Sequence, residues 1–600
     1  MNTLLEIWRL LDRKQRRQLA WLQVLAVIMA LSTLGGVAAV LPFFAVLADP
    51  DMVSKNHALA VLYATFDFGG PRQFVVVLGL GFVGLVLLSN LINLLGTLAM
   101  ARFAAQVGND FHVALLDEYL HRDYLFHARR GSADLYNKVL DSVGRVSGGV
   151  LGGGMVAFAS AVTIVLIVAA VVVLNPLIAT ATVAWMGGSY AAIYYFTRRR
   201  LYRNGLIEIQ QQVERSRIAN ESLRAVKEVL LYRRQGYFRG AFESACRAMS
   251  RSALENYAIA QTPRYAMESV TVAGLVGAAL YLGLEGGLGA WLPHLSFLGF
   301  AAYRLLPAIQ ALFAAIVRVR SNCVAFDEIA DDLRLGLAAR GRAARGAAHD
   351  PRWAGRPRRE IRFERVWFQY SAEREFALRE VSLAIPAGAM CAIVGPNGSG
   401  KSTLMNLLLG LLPMTHGELR VDGEPVGPEN RAAWQMQLAY VPQEIAIFDT
   451  TLAANIALGV APGAVDQARL QEALRGARLE TLVAALPRGV EERLGDRGQN
   501  LSVGQRQRIG IARALYRGAS VLVMDEATSA LDGLTENEIL DLLLDLRGAR
   551  TIVLVAHRRD TVRRCELIFE MDQGRLVGSG AYEELQRSSA QFRGLFGVRA

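Results

Sequence analysis

Eight residues, Gly395-Pro396-Asn397-Gly398-Ser399-Gly400-Lys401-Ser402, separate the apolar stretch Met390–Val394 from a helical pattern over Thr403–Leu412. A strand, a glycine-rich turn and a helix in that order form a phosphate cradle. Backbone N–H groups face the anion, the helix N-terminus adds positive potential, and Lys401 reaches the terminal phosphates. Ser402 is placed to hold Mg²⁺ through its hydroxyl. Only five of the 65 basic residues are lysines, so a lysine here is not drift. A compact ammonium fits inside the loop where a forked guanidinium does not.

Two further strands end in chemistry. Ser520–Met524 is apolar and closes on Asp525 and Glu526. Asp525 suits a Mg²⁺ partner beside Ser402, and Glu526, one residue on, suits a general base for the attacking water. Thr551–Ala556 ends in His557, whose neutral imidazole could contact a γ-phosphate. Taken alone, a strand ending in Asp-Glu is common, and a strand-end histidine is more often structural.

In combination these elements resemble the ATPase domain of ATP-binding-cassette transporters, from Tyr370 to His557, with every expected motif in order. The resemblance implies ATP and Mg²⁺ as cofactors. It places Tyr370 against adenine and Gly395–Thr403 around the phosphates. Gln443, in Tyr-Val-Pro-Gln, stands at the Q-loop glutamine, a further metal and nucleotide contact. Leu501-Ser502-Val503-Gly504-Gln505 occupies the signature position, where Ser502, Gly504 and Gln505 face a partner's nucleotide. Ser529–Asp532 would be the D-loop and His557 the switch histidine. Lys401, Glu526 and His557 form the catalytic set. The family's signature usually has glycine where Val503 stands, so a β-branched side chain is expected to restrict the backbone and alter turnover. One phosphate loop and one signature per chain imply two identical chains with two composite sites, related by a twofold axis.

The rest of the chain must position this engine. Six hundred residues exceed one core. Six segments, near 19–48, 73–103, 148–174, 177–197, 264–288 and 291–318, can each cross about 30 Å of hydrocarbon, which takes roughly 20 apolar residues. Arg13, Lys14, Arg16 and Arg17 precede the first, whose apolar run is too long for a signal peptide. Residues 4–11 have the pattern of a helix lying in the interface. The N-terminus and residues 104–147 and 198–263 are rich in arginine, which places them in the cytoplasm. The net charge of +11 follows from this flanking pattern rather than from a nucleic-acid-binding face. Cys246, Cys323, Cys391 and Cys565 have no metal spacing and read as reduced thiols.

The fold class expected is therefore a membrane α-helical domain of exporter type over 1–335, a basic linker over 336–358 and an α/β P-loop ATPase domain over 359–600. The chain should act as a homodimer in a bacterial inner membrane, with the ATPase domain in the cytoplasm. The long connections offer Asp123–His127 and Tyr232–Phe238 as coupling segments. A helix over Asn56–Phe68 is expected outside, either tucked against neighbouring spans or touching lipid through Leu59, Leu62, Tyr63 and Phe66.

Arg102, Arg264, Arg304 and Arg318 lie in or at the ends of apolar segments. Snorkelling explains Arg102 and Arg318, whereas Arg304 sits inside its segment. In a shared cavity, Arg102, Arg264 and Arg304 would suit a phosphate or pyrophosphate headgroup. Ala302–Pro307 and the outer helix are similar to the PglK-type flippases of bacterial protein N-glycosylation, which implies a polyprenyl-pyrophosphate-linked oligosaccharide as cargo. A general lipid, drug or peptide exporter is the alternative, and an ATP-gated channel or receptor a further one. Six spans argue against a nucleic-acid partner.

Overall fold

The computed structural model describes residues 2–48, 53, 57–65, 70–174, 176–285, 288–339, 357–371, 373, 375–495, 498–525 and 533–596. The chain divides into two compact units, one of Met1–Arg122 with Arg129–Arg342, the other of Asp123–Ala128 with Ala343–Ala600. Arg340–Arg356 of the basic linker lies outside the described residues.

The first unit is helical. A short helix α1 (Asn2–Leu10) precedes α2 (Arg13–Ala38), and α3 (Val40–Ala48) continues the same path. The start of α2 is a capping box, with Gln15 N donating to Asp12 Oδ1 at 2.6 Å and Asp12 N to Gln15 Oε1 at 3.1 Å. Helix α4 (His57–Thr65) falls where the outer helix was expected. Its apolar face is divided: Leu59 is buried with Val46 and Phe74, Tyr63 meets the Phe74 ring at 5.3 Å, and Leu62 points outward. Asn56 and Phe66 lie outside the described residues.

The long helices are α5 (Pro71–Leu120), α7 (Gly153–Leu174), α8 (Pro176–Arg224), α10 (Gln235–Glu285) and α11 (Leu288–Ala339). At 49 to 52 residues, α5 (50), α8, α10 and α11 span about 75 Å each at 1.5 Å per residue, far beyond a bilayer. They therefore carry the arginine-rich connections onward as helix, as expected. Among the described residues, four helical stretches are long and apolar enough to cross a membrane: Arg13–Leu47, Arg72–Leu120, Ser132–Val173 and Ser296–Ala339. The third span has a longer lead than its apolar run predicted. A helical path begins at Ser132 and passes through two π-helical stretches, Lys138–Ser142 and Arg145–Gly152.

A polar network fastens the extensions together. Arg145 pairs with Glu208 and donates through Nε to Asn322 Oδ1 at 2.9 Å. Asn256 Nδ2 donates to Glu208 Oε1 at 2.9 Å, and Asn204 Nδ2 to Asn256 Oδ1 at 3.0 Å. The backbones also approach closely: a Cβ on Gly205 would lie 2.2 Å from Ser321 O.

The second unit is α/β. Strands β1 (Glu360–Phe368), β2 (Leu378–Pro386), β4 (His416–Val421) and β5 (Glu424–Pro425) form an antiparallel sheet ordered β2-β1-β4-β5. The larger sheet is ordered β10-β9-β3-β8-β7-β6, from β3 (Met390–Val394), β6 (Leu438–Val441), β7 (Val521–Asp525), β8 (Thr551–Val555), β9 (Leu567–Asp572) and β10 (Arg575–Gly580). Strand β3 is buried on both faces. Met390, Ala392 and Val394 enter one core, while Cys391 and Ile393 enter the other. This is why its sequence is an unbroken apolar run rather than an alternation. The short helix α6 (Tyr124–Arg129) begins in this unit, where Leu125 packs against the second core. The second coupling candidate is not a helix of its own: the short helix α9 (Val226–Leu231) precedes it, and Tyr232 and Tyr237 stand exposed. Cys246, Cys323, Cys391 and Cys565 are free thiols.

Candidate functional site

Four strand ends make the site. Strands β3, β8, β7 and β6 run parallel and adjacent, pairing Ile393 with Val555, Val555 with Asp525, and Val441 with Met524. Their carboxyl ends therefore release Gly395, His557, Asp525 and Gln443 along one sheet edge, the edge where open α/β sheets bind ligands.

The phosphate loop is glycine by necessity. Gly395 has φ 148°, and a Cβ there would meet Met571 O at 2.1 Å. Gly400 has φ 100° and caps α12 (Lys401–Leu408) in the left-handed region. Lys401 is buried, and its Nζ donates to Gly395 O and Pro396 O, each at 2.9 Å. The ammonium is thus held inside the loop by carbonyls that phosphate oxygens can replace. Ser399 Oγ is buried with no hydrogen-bond partner among the described residues. Ser402 is exposed on the first turn of α12, while Asn397 and Gly398 stand open at the loop tip. An orphaned hydroxyl and a caged ammonium at the N-terminus of α12 fit a triphosphate. Ser402 and the strand-end carboxylate of Asp525 fit its Mg²⁺.

Tyr370 reaches this loop from β1. Its hydroxyl bonds Thr403 Oγ1 at 2.9 Å, and its ring meets Phe368 edge-on at 4.9 Å. Gln443 and His557 are exposed. Glu526 and Ser529–Asp532 lie outside the described residues.

At the signature, Ser502 caps α13 (Val503–Arg517): Gln505 N donates to Ser502 Oγ at 3.2 Å, and Ser502 N to Gln505 Oε1 at 2.9 Å. Ser502 is exposed and Gly504 buried. Val503 occupies the first helical position without positive φ, and its half-buried side chain packs on the core. A β-branched residue meets no backbone conflict there, because no left-handed conformation is required.

Sequence reasoning missed two partners. The Tyr440 phenol on β6 hydrogen-bonds Asp525; burial first and the carboxylate second push its pKa up to about 12. Glu536, buried in the first turn of α14 (Gly533–Leu546), accepts from Arg558 Nη1 and from Thr561 Oγ1 at 2.9 Å. A glutamate buried 22 residues before its arginine partner has no local signature.

In the helical unit, a cavity of about 840 Å³ is lined by Thr33, Asn93, Ser147, Tyr303, Arg304 and Arg318, among others. Arg304 Nη1 donates to Asn90 Oδ1 at 3.2 Å, and its guanidinium lies 5.7 Å and 5.8 Å from the Phe300 and Tyr303 rings. Its Nε is buried with no partner among the described residues. The other two candidates are not brought there. Arg264 pairs on the surface with Glu268 at 2.9 Å, and Arg102 is exposed outside the cavity lining. Arg318, left to snorkelling by the sequence, joins Arg304 instead.

A glycine cradle, a caged lysine and a carboxylate on one parallel sheet edge define a P-loop nucleotide cassette, here continuous with membrane-length helices. Residues 378–529 match the family described as ABC transporter, and residues 25–284 the ABC transporter transmembrane region. The chain is 31% identical over 511 residues to an ATP-dependent lipid A-core flippase of Polaromonas sp., covering 83% of each chain. It is 41% identical over 254 residues to the flippase of the same name from Burkholderia orbicola, a match spanning only 42% of each chain. It shares the fold of a bacterial Atm1-family ABC exporter with ATP bound, at TM-score 0.74 and 23% identity over 97% of this chain and 98% of that one. The chain belongs to the ATP-binding-cassette transporters and is built as an exporter half-transporter, with one membrane region and one cassette.

Proposed function

We propose that this chain is an ATP-driven flippase that carries a lipid with a phosphate-bearing headgroup from the cytoplasmic to the outer leaflet of a bacterial inner membrane. Two copies enclose two nucleotides. Lys401 and the loop amides bind the phosphates, Ser402, Gln443 and Asp525 hold Mg²⁺, and Tyr370 lies against the base. Bound Mg²⁺ supplies charge neutralisation at the transferred phosphoryl group. Glu526 takes the proton of the attacking water, and His557 holds the γ-phosphate. Ser502 and Gly504 of each chain contact the nucleotide held by its partner. Closure and release of the cassettes then alternate access to the membrane cavity.

The observation carrying the substrate class is Arg304. A guanidinium at membrane depth costs at least about 2.5 kcal/mol unless it meets water or an anion. One of its donors is orphaned beside a cavity large enough for a headgroup. A fork of this kind binds phosphate oxygens bidentately. Within this class, the relatives are named for lipid A-core, and the Ala302–Pro307 segment favours a polyprenyl-pyrophosphate-linked oligosaccharide.

Reconstitution into proteoliposomes tests both. ATPase activity and translocation are measured with lipid A-core, polyprenyl-pyrophosphate oligosaccharide, ordinary phospholipids and amphipathic drugs. A phosphorylated glycolipid should stimulate turnover and move, and Arg304→Ala should reduce its translocation at least about tenfold, roughly one lost charge-assisted contact. Unchanged translocation in that variant removes the headgroup assignment; ion current without flux favours a channel.

A further inference from the structure

A second cavity, about 530 Å³, lies among α7, α8 and α11. Its walls are Ile164 and Val168 of α7 and Leu305, Ile309 and Phe313 of α11. Arg304, Ala308 and Ala311 of α11 and Ala159 and Thr163 of α7 belong to the other cavity, so both helices contribute to the two linings. The mouth is formed by Gly187 and Ala191, both small and both exposed. At the floor sits Tyr190, 7% exposed, its ring 5.0 Å from Phe313. Its hydroxyl is buried with no hydrogen-bond partner among the described residues.

These features call for one kind of occupant. Apolar walls at hydrocarbon depth exclude water and favour a chain of methylenes. The volume falls in the range of ligand pockets, about 300–1,000 Å³. An unpaired buried hydroxyl costs about 1–3 kcal/mol, which an acceptor on the ligand recovers. We propose that this cavity binds the acyl chain of a bilayer lipid, whose carbonyl accepts from the Tyr190 hydroxyl, at a site separate from the Arg304 cavity. A dissolved fatty acid presents the same chemistry, so the test must distinguish the two sources. The inference does not rest on the phosphate headgroup reading and survives its failure.

The full-length protein is placed in phosphatidylethanolamine–phosphatidylglycerol nanodiscs carrying a trace of phosphatidylethanolamine with a diazirine on one acyl chain. A parallel arm uses a diazirine fatty acid alone. Crosslinks are mapped by mass spectrometry. Lipid labelling is expected within residues 187–194 and 305–316. Ala191→Trp, which fills the mouth, should lower it at least about fivefold, the equivalent of about 1 kcal/mol. Tyr190→Phe keeps the ring, folds as the parent does and should lower it about threefold or more through loss of one hydrogen bond. Labelling undiminished in Tyr190→Phe overturns the hydroxyl's role. Labelling undiminished in both variants, or confined to the fatty-acid arm, overturns the lipid site. Loss of the dimer in Ala191→Trp with lipid labelling intact assigns the cavity to the partner chain and overturns it as well.

Discussion

Arg558 donates to Glu536, and because the other oxygen of that carboxylate is taken by Thr561 Oγ1 at 2.9 Å, both are held by one buried group. Arg558 follows His557 directly and caps α15 (Arg559–Arg563). Glu536 stands at the start of the helix that leaves the Glu526 segment. The bond therefore ties the strand end that carries His557 to the helix that follows Glu526 in the chain, and with Glu526 as the proposed general base Glu536 is a candidate positioning residue. Glu536→Gln keeps the volume and the Thr561 contact but removes the charge. Its kcat for ATP should fall about tenfold, some 1.4 kcal/mol, with KM within about twofold. Arg558→Lys should retain more activity than Arg558→Ala. If the soluble, folded fraction of Glu536→Gln turns over normally, the residue is structural only.

Tyr440 and Asp525 make a comparable pair on neighbouring strands. Partners of metal-ligating groups typically contribute about 10–100-fold in metal affinity. Tyr440→Phe should raise the Mg²⁺ concentration for half-maximal binding of a fluorescent ATP analogue about tenfold, leaving binding at saturating Mg²⁺ unchanged. An unshifted Mg²⁺ titration would show that the phenol does not tune Asp525.

Val503 packs on the cassette core while Ser502 and Gly504 stay in place. Val503→Gly should therefore destabilise α13 by about 0.5–1 kcal/mol through glycine's backbone entropy, lowering the thermal midpoint by a few degrees. It should change turnover less than about threefold, since no catalytic donor moves. A large rise in kcat with an unchanged midpoint would show that the valine throttles the site through its bulk beside the nucleotide.

Glu328, on the extension of α11, has its pKa raised chiefly by burial, against the opposing Lys138 charge and the Ser142 hydrogen bond at 3.1 Å. A raised folded pKa means that the native state holds the proton longer than the unfolded chain. Stability from this group is complete below about pH 4.3 and declines as pH rises through the folded value. Glu328→Gln should melt above the parent at pH 7 to 8, and the gap should close toward pH 5. Parallel melting curves at every pH would refute this.

The sequence alone determined the parts whose physics is local. A phosphate loop needs glycines at positive φ and a lysine within a turn, and all of them lie within eight residues. Spans announce themselves as long apolar runs, because hydrocarbon leaves the backbone no partner but itself. The helical continuation of the arginine-rich connections was legible for the same reason of periodicity. Tertiary structure decided whatever depends on strand order or on contacts between distant residues. Placing β8 between β3 and β7 brings His557 and Asp525 to the phosphate loop, and no spacing along the chain specifies that order. Asn90 meets Arg304 across 214 residues, and the Tyr190 hydroxyl is orphaned only once three helices close around it. Val503 shows the converse. From the sequence its side chain restricts the backbone and alters turnover; the fold places it at an ordinary helical position with core to pack against, and its effect on turnover rests on the Val503→Gly measurement.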